Sequence, residues 1–271
     1  VKRGAPLVCG IHEVSSEGLV SSDPYALAGM VEKLYFPEDE VLCHLSVANK
    51  NLLNFYELSG EKTTRYMSKK QDISAMVSDK GDFEHFMLKE IHEQPELIRS
   101  LTQYYFAGEG ESSLRALMKL RPERIHISAC GTAYYAGMVI RDFLEQYNRI
   151  PTETSYASEF RYRYPLLNEQ ELGLFVSQSG ETADTLAAQQ LCKKYGLETL
   201  SIVNVEGSTL YRECDYNLNI RAGVEIGVAS TKAFTQQALT GRLLSLAMAG
   251  DLECESKKVE LAKQFNLLAE R

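Results

Sequence analysis

No run of eighteen or more apolar residues occurs in this 271-residue chain, which excludes a membrane-spanning helix on sequence grounds. Basic residues are in deficit. Lys and Arg number 29 against 37 Asp and Glu, a net charge of −8, the wrong sign for a nucleic-acid surface. The six cysteines, Cys9, Cys43, Cys130, Cys192, Cys214 and Cys254, are scattered, with no CxxC and no Cys/His cluster. The five histidines, His12, His44, His85, His92 and His126, are equally dispersed. Neither a disulfide framework nor a metal site is expected, and reduced thiols in a cytoplasm suit the pattern better. The first residues, VKRGAPLVCGIHEV, hold a Lys-Arg pair but only a very short apolar run, a poor signal peptide. GxGxxG and GxxxxGK[ST] are both missing, so neither a dinucleotide fingerprint nor a P-loop is expected. No cofactor is called for, and no solenoid repeat is visible.

What is present falls into two textures. From Val1 to about Met76, short strand-like runs alternate with turns. APLVCGI is one. VEKLYF and EVLCHLSV, joined by PEDE, read as a hairpin, and NLLNFYEL is a further strand. SDPYALAGM reads as a short helix, with Ser22 or Asp23 as cap and Pro24 in its first position. Mostly antiparallel strands are expected here. Residues 77–95 are polar, with Gly81 early and Pro95 late, and read as a linker. Within and after it, one helix is expected from Phe83 to near Pro95 and a second through ELIRSLTQYYF.

From Arg124 the rhythm becomes strand, loop, helix. RIHISA, TETSYA, LGLFVSQS, ETLSIVNV and YNLNI read as strands. Residues 132–147, 181–196, STLYREC and 229–250 read as helices, with Gly196 ending the second. This alternation predicts an α/β fold, a parallel sheet with helices on both faces.

In such sheets, ligands bind beyond the carboxyl ends of the strands. Three of those ends are polar: CGTA after the first strand, SQSGET after the third, and RAGVEIGVASTK before the long helix. Each leads into a helix N-terminus, where first-turn amides lack intrahelical partners and the dipole favours negative charge. Ser177, Ser179 and Thr182 add hydroxyls, and Gly131 and Gly180 allow close backbone approach. Such a site suits phosphate without an arginine. Ser and Thr at any one junction are ordinary caps; three polar junctions at one end of a sheet make a ligand site the simpler account. Glu225 and Lys232 flank the third loop as acid–base candidates, with surface charge or a salt bridge as the ordinary alternative. Glu159 is either a ligand contact or a partner of Arg161 or Arg163. Cys130 reads as a small packing residue, and Tyr134, Tyr135, Tyr162 and Tyr164 as cover for apolar surface.

ACGTAYYAG, ASEFRYR, SQSGETADT and EIGVASTKAFTQQ resemble the first sugar-isomerase (SIS) domain of the glutamine–fructose-6-phosphate aminotransferases, also called glucosamine-6-phosphate synthases. KEIHEQP resembles their linker, and GAPLVCGI and SSDPYAL the later part of their N-terminal-nucleophile glutaminase domain. The resemblance implies residues 1–76 as glutaminase, 77–95 as linker, 96–250 as first SIS domain and 251–271 as the start of a connection to a second. It implies fructose 6-phosphate and glucosamine 6-phosphate as ligands, with L-glutamine as ammonia source in the intact enzyme, and a homodimer. By motif, Thr132, Ser177, Gln178, Ser179, Thr182, Val228 and Ser230 would hold the sugar phosphate, and Asp23 the amino group of glutamine. The family's N-terminal cysteine, oxyanion-hole Asn-Gly and second SIS domain are not in these residues, and Ala133 stands where the family often has serine. The chain therefore reads as an internal piece of the larger enzyme, without catalytic residues of its own. A stand-alone module that senses a phosphosugar is the alternative, disfavoured by the glutaminase-like residues 1–76, and a deaminating isomerase is disfavoured on the same ground.

Overall fold

The computed structural model describes residues 1–3, 7–22, 24–27, 29–46, 52–70 and 80–270. They divide into two compact units, Val1–Gly81 and Asp82–Arg271. Asp23, the residue proposed for glutamine, lies outside the described residues, as does the start of the 77–95 segment.

The first unit contains β1 (Val8–His12), β2 (Glu17–Ser21), β3 (Lys33–Pro37), β4 (Val41–Leu45), β5 (Leu53–Glu57) and β6 (Tyr66–Lys70). An antiparallel sheet of order β2-β1-β3-β6 accompanies a β4-β5 hairpin. Strand alternation divides the core. Val8 joins Leu27, Val31 and Leu34, while its neighbour Cys9 faces Val41 and Phe55. The expected β3–β4 hairpin does not form. The backbone between them is occupied elsewhere: the Glu38 amide donates to Arg65, the Glu40 amide to Lys2, and Lys2 donates to Val41. Glu40 turns the chain at φ +65° and is gripped by Arg3 at 2.8 Å. The helix expected around Pro24 is a single 3-10 turn, Pro24–Leu27.

The second unit opens with α1 (Phe86–Ala107) and α2 (Glu111–Leu117). Then follow β7 (Ile125–Ala129), α3 (Thr132–Phe143), β8 (Thr152–Tyr156), α4 (Ala157–Phe160), β9 (Leu172–Ser177), α5 (Ala183–Lys194), β10 (Glu198–Val203), α6 (Thr209–Glu213), β11 (Tyr216–Asn219), α7 (Lys232–Met248) and α8 (Glu255–Leu268). The sheet is wholly parallel, in the order β11-β10-β9-β7-β8. One face, with Ile125, Ile127, Leu172, Leu174, Val176, Leu200 and Ile202, packs under α1, α2, α3 and α7. The other, with Phe175 and Val203, packs under α4, α5 and α6. β7 and β9 are buried along their whole length, as a sheet covered on both faces requires.

α1 runs through Pro95 without a break, against the expectation of two helices. Proline removes the amide that would reach the Ile91 carbonyl. The Gln94 side chain donates to that carbonyl instead, at 3.2 Å, and Ile98, Leu101 and Tyr105 anchor the helix in the core. Tyr135, Tyr162 and Tyr164 are exposed rather than covering apolar surface. Only Tyr134 of that group packs against the core, stacked on Tyr156 at 3.9 Å.

α3 and α7 lie side by side in the same direction: Gly241 meets Ile140, and Asn148 donates to the Ser245 carbonyl at 3.0 Å. A Cβ at position 241 would collide with Ile140 Cγ1. Gly241→Ala is therefore expected to cost about 1–3 kcal/mol despite the better helix propensity of alanine, as measured by urea unfolding. α8 docks through Phe265 on Phe106 and through Lys258, which donates to Glu111 at 2.6 Å. Lys258 and then Arg115 hold the Glu111 carboxyl at about 2. A depressed carboxyl stabilises above its unfolded value of about 4.3. The contribution is lost as pH falls through about 2. NMR titration should find the Glu111 midpoint near that value, and higher in Lys258→Met.

Candidate functional site

Because every strand of the second sheet is parallel, every strand-to-helix loop leaves at the same end. β7 and β9 are neighbours, with Ala129 beside Val176. Yet α3, which follows β7, lies on one face, and α5, which follows β9, lies on the other. Their loops, 130–131 and 178–182, must diverge. The gap between them is the point where strand order reverses, the usual ligand crevice of an open α/β sheet.

Gly131 stands at the head of α3 with φ 57° and ψ −136°, a conformation open essentially to glycine alone, and Thr132 starts the helix. In the second loop, the buried Ser177 Oγ accepts from the Gly180 amide at 3.0 Å and lies 3.4 Å from Thr182 Oγ1. Ser179 Oγ accepts from the Glu181 amide at 3.2 Å. Gly180 adopts φ +67°, and a Cβ there would strike Ser208. Thr182 is the N-cap of α5 but makes no side-chain cap bond, and α3 has no side-chain cap either. Both helices thus present first-turn amides to the crevice.

The loops after β9, β10 and β11 are stitched together. The Asn204 amide donates to the Gln178 carbonyl at 3.3 Å. The Asn204 side chain donates to Gly223 at 2.6 Å and accepts from the Ala222 amide at 2.8 Å. Glu181 accepts from the Thr209 amide at 2.8 Å, and Leu210 donates to the Gly180 carbonyl at 3.0 Å.

Thr132, Ser177, Gln178, Ser179 and Thr182 therefore border one crevice. Val228 and Ser230 sit on the approach to α7, whose N-terminus faces the same end of the sheet as that of its parallel neighbour α3. Val228 is fully exposed. Ser230 Oγ donates to Glu225 at 2.9 Å, and the same carboxylate accepts from the Thr231 and Ala233 amides at 2.9 and 3.2 Å. Glu225 is thus the cap of α7. Lys232 is buried and donates to Glu93 at 2.7 Å. For Lys232 the salt-bridge reading holds, with Glu93 as its partner, whereas Glu225 is a helix cap and forms no ion pair with Lys232. Arg161 pairs with Asp184 and Arg163 with Glu153, so neither is the ion-pair partner of Glu159. Cys130 is half-buried against the α5 side of the core.

Three residues went unnoticed in the sequence. Glu90 and Glu93 of α1 grip the third loop and α7 across some 140 positions, at 2.5 Å from the Ile226 amide and 2.7 Å from Lys232, a pairing for which no local pattern exists. Asn204, just past the end of β10, falls inside the expected strand ETLSIVNV, where nothing in the local pattern marks it as the residue that ties the loops together.

A cavity of about 360 Å³ lies at the opposite, amino end of the sheet, lined by Arg124, His126, Glu153, Arg163 and Glu171 among others. These side chains are partnered within the protein: His126 Nε2 lies 2.9 Å from Glu171, Arg124 meets Glu171 at 3.5 Å, and Arg163 meets Glu153. The amino end of a parallel sheet is also the wrong end for the crevice. Among the described residues no cluster could hold a metal ion, and no helix is long and apolar enough to cross a membrane.

The strain at Gly180 is testable. Gly180→Ala combines an unfavourable positive φ with a collision at Ser208. It is expected to lower stability by about 1–3 kcal/mol in urea unfolding, with increased exchange of the 178–182 amides.

Residues 120–247 match the family model for the SIS domain. The glutamine–fructose-6-phosphate aminotransferase [isomerizing] of Bartonella henselae is 39% identical over 274 residues, covering 100% of this chain and 42% of that protein. Its counterpart in Brucella abortus is 40% identical over 270 residues, covering 98% and 44%. Among solved structures, the C-terminal domain of glucosamine-fructose-6-phosphate aminotransferase from Francisella tularensis superposes with a TM-score of 0.64 at 35% identity, over 72% of this chain and 56% of that one. The chain thus spans less than half the length of these curated relatives. The parallel sheet, the loop geometry and these matches agree: residues 120–247 form an SIS domain, and the chain is a homologue of part of the glutamine–fructose-6-phosphate aminotransferases.

Proposed function

We propose that the crevice between β7 and β9 binds the phosphate of a ketohexose phosphate, fructose 6-phosphate, on behalf of an enzyme that forms glucosamine 6-phosphate with L-glutamine as nitrogen donor. One observation carries this reading. At the switch point, two helices without side-chain caps start beside the hydroxyls of Ser177, Ser179 and Thr182. Amides and hydroxyls are neutral donors, and a dianion held by them needs no desolvated cation.

In this reading Ser179, Gln178 and Thr182 donate to the phosphate, and Ser177 holds the turn by accepting from Gly180. Thr132 at the start of α3 and the Val228–Ser230 segment border the sugar. Proton transfer is not assigned to Glu225 or Lys232, because the first caps α7 and the second is neutralised by Glu93. The region binds and orients; ring opening and ammonia transfer belong to the rest of the enzyme. On the resemblance of the sequence motifs alone, the same reading takes residues 1–76 as part of a glutaminase domain, Asp23 as its contact to the glutamine amino group, the enzyme as a homodimer and its setting as cytoplasmic.

Calorimetric titration tests the assignment. Fructose 6-phosphate is expected to bind while fructose does not. Ser179→Ala and Thr182→Ala are each expected to weaken binding by about 10- to 100-fold, the effect of removing one hydrogen bond to a charged group. Equal affinity of these variants and the wild type would refute the site.

A further inference from the structure

We propose that Glu90 is a positioning residue for the sugar-phosphate site: its buried carboxylate, by holding the Ile226 and Gly227 amides, sets the course of the loop that carries Val228 and Ser230. The inference rests on the reading of the crevice given above and adds to it a residue from outside the loops.

Glu90 is only 2% exposed. A carboxylate so buried is tolerated only where donors meet it. Its Oε1 accepts from the Ile226 amide at 2.5 Å and the Gly227 amide at 3.1 Å, and its Oε2 lies 3.2 Å from the latter. A Cβ at residue 227 would stand 2.5 Å from Glu90 Oε2 and would push the carboxylate off these amides. With two consecutive amides turned towards α1, the next residue, Val228, is left facing outward, and Ser230 turns back onto Glu225.

The contact is one of a series. Glu93 holds Lys232 at 2.7 Å, Gln94 meets Thr235 at 2.6 Å, and the Leu97 carbonyl accepts from Gln236 at 3.0 Å. Positions 90, 93, 94 and 97 follow i, i+3, i+4, i+7 and so form one stripe of α1. That stripe meets the third loop and the first turn of α7 in order. Gln236 also donates to the Ile220 carbonyl at 3.1 Å, which fixes the start of the loop as well as its end. A residue that merely filled space at position 90 would need no charge, and glycine at 227 would have no function.

Hydrogen exchange and calorimetry on Glu90→Ala, Glu90→Gln and Gly227→Ala decide the matter. In Glu90→Ala and Gly227→Ala, protection of the 223–231 amides is expected to fall at least about tenfold while β7 and β9 keep theirs. Fructose 6-phosphate affinity, measured well below the melting temperature, is expected to weaken by about tenfold. Glu90→Gln keeps the shape and one acceptor, and is expected to fall between these variants and the wild type. A purely structural role would lower the melting temperature and leave the affinity of the folded protein intact. Unchanged affinity in Gly227→Ala and Glu90→Ala beside a wild type that binds would overturn the positioning role alone. A wild type that does not bind fructose 6-phosphate would overturn the sugar-phosphate reading and the role with it. Should Glu90→Ala not fold, Gly227→Ala tests the same contact from the loop side.

Discussion

The second unit depends on one topological constraint: two adjacent parallel strands, β7 and β9, whose following helices depart to opposite faces of the sheet. Both strands are buried throughout, so neither can shift in register without burying a polar group or exposing an apolar one. Their ends are consequently level, Ala129 beside Val176. The loops beyond them have to separate, because α3 and α5 pack on different sides. The crevice is a product of packing before any site residue is considered. What Ser177, Ser179, Thr182 and Gly131 contribute is the chemistry of its walls.

The two ends of this sheet solve opposite electrostatic problems. At the amino end, Arg124 pairs with Glu171 and Arg163 with Glu153, and the buried His126 ring lies between the two carboxylates. At the carboxyl end, the β7 and β9 loops offer hydroxyls and amides, with no cation among the residues assigned to the phosphate. The three helix starts there are not alike. α7 is already capped by a carboxylate of its own, Glu225, which takes two amides and the Ser230 hydroxyl. α3 and α5 carry no such side chain. A carboxylate placed where an external anion would otherwise sit satisfies the same partial charge. In the proposed reading, the phosphate is therefore best placed at α5, with the α7 loop shaping the space around the sugar.

The strands and loops that build the crevice were legible because their signals are local. Short apolar runs ending abruptly in Gly, Ser and Thr mark β7 and β9, and the alternation with helices implies a parallel sheet. Gly196 ends α5 at φ +81°, as its position suggested. The errors share a physical cause, namely competition from residues distant in the chain. PEDE has the composition of a hairpin turn, but Lys2 and Arg65 take its backbone partners, so β4 pairs only with β5. Pro95 has the composition of a helix end, but Gln94 repairs the ladder and Ile98, Leu101 and Tyr105 hold the helix straight through it. β2 and β6 carry no strong period of their own and owe their strand form to pairing with β1 and β3. Glu225 and Lys232 are acid–base candidates by position alone, and each has another partner in space, the α7 amides and Glu93 respectively.

Continuity of α1 through Pro95 matters beyond secondary structure. Two separate helices would allow residues 86–94 to move apart from residues 96–107. One helix ties Glu90, Glu93 and Gln94, which grip the third loop and α7, to Ile98, Leu101 and Tyr105, which are buried in the core. Tyr105 adds a fixed point by donating to the Asn219 carbonyl at 2.8 Å, at the end of β11. The loop that leaves β11 is therefore held at its root by one end of α1 and at its middle by the other. The distance between those two holds is set by the rise of a helix, about 1.5 Å per residue, which is a stiffer ruler than any loop. A proline that broke α1 would remove that ruler, and the Gln94 side chain that prevents the break also spends its other end on Thr235 of α7. The same residue thus keeps the helix whole and joins it to the element whose start it positions.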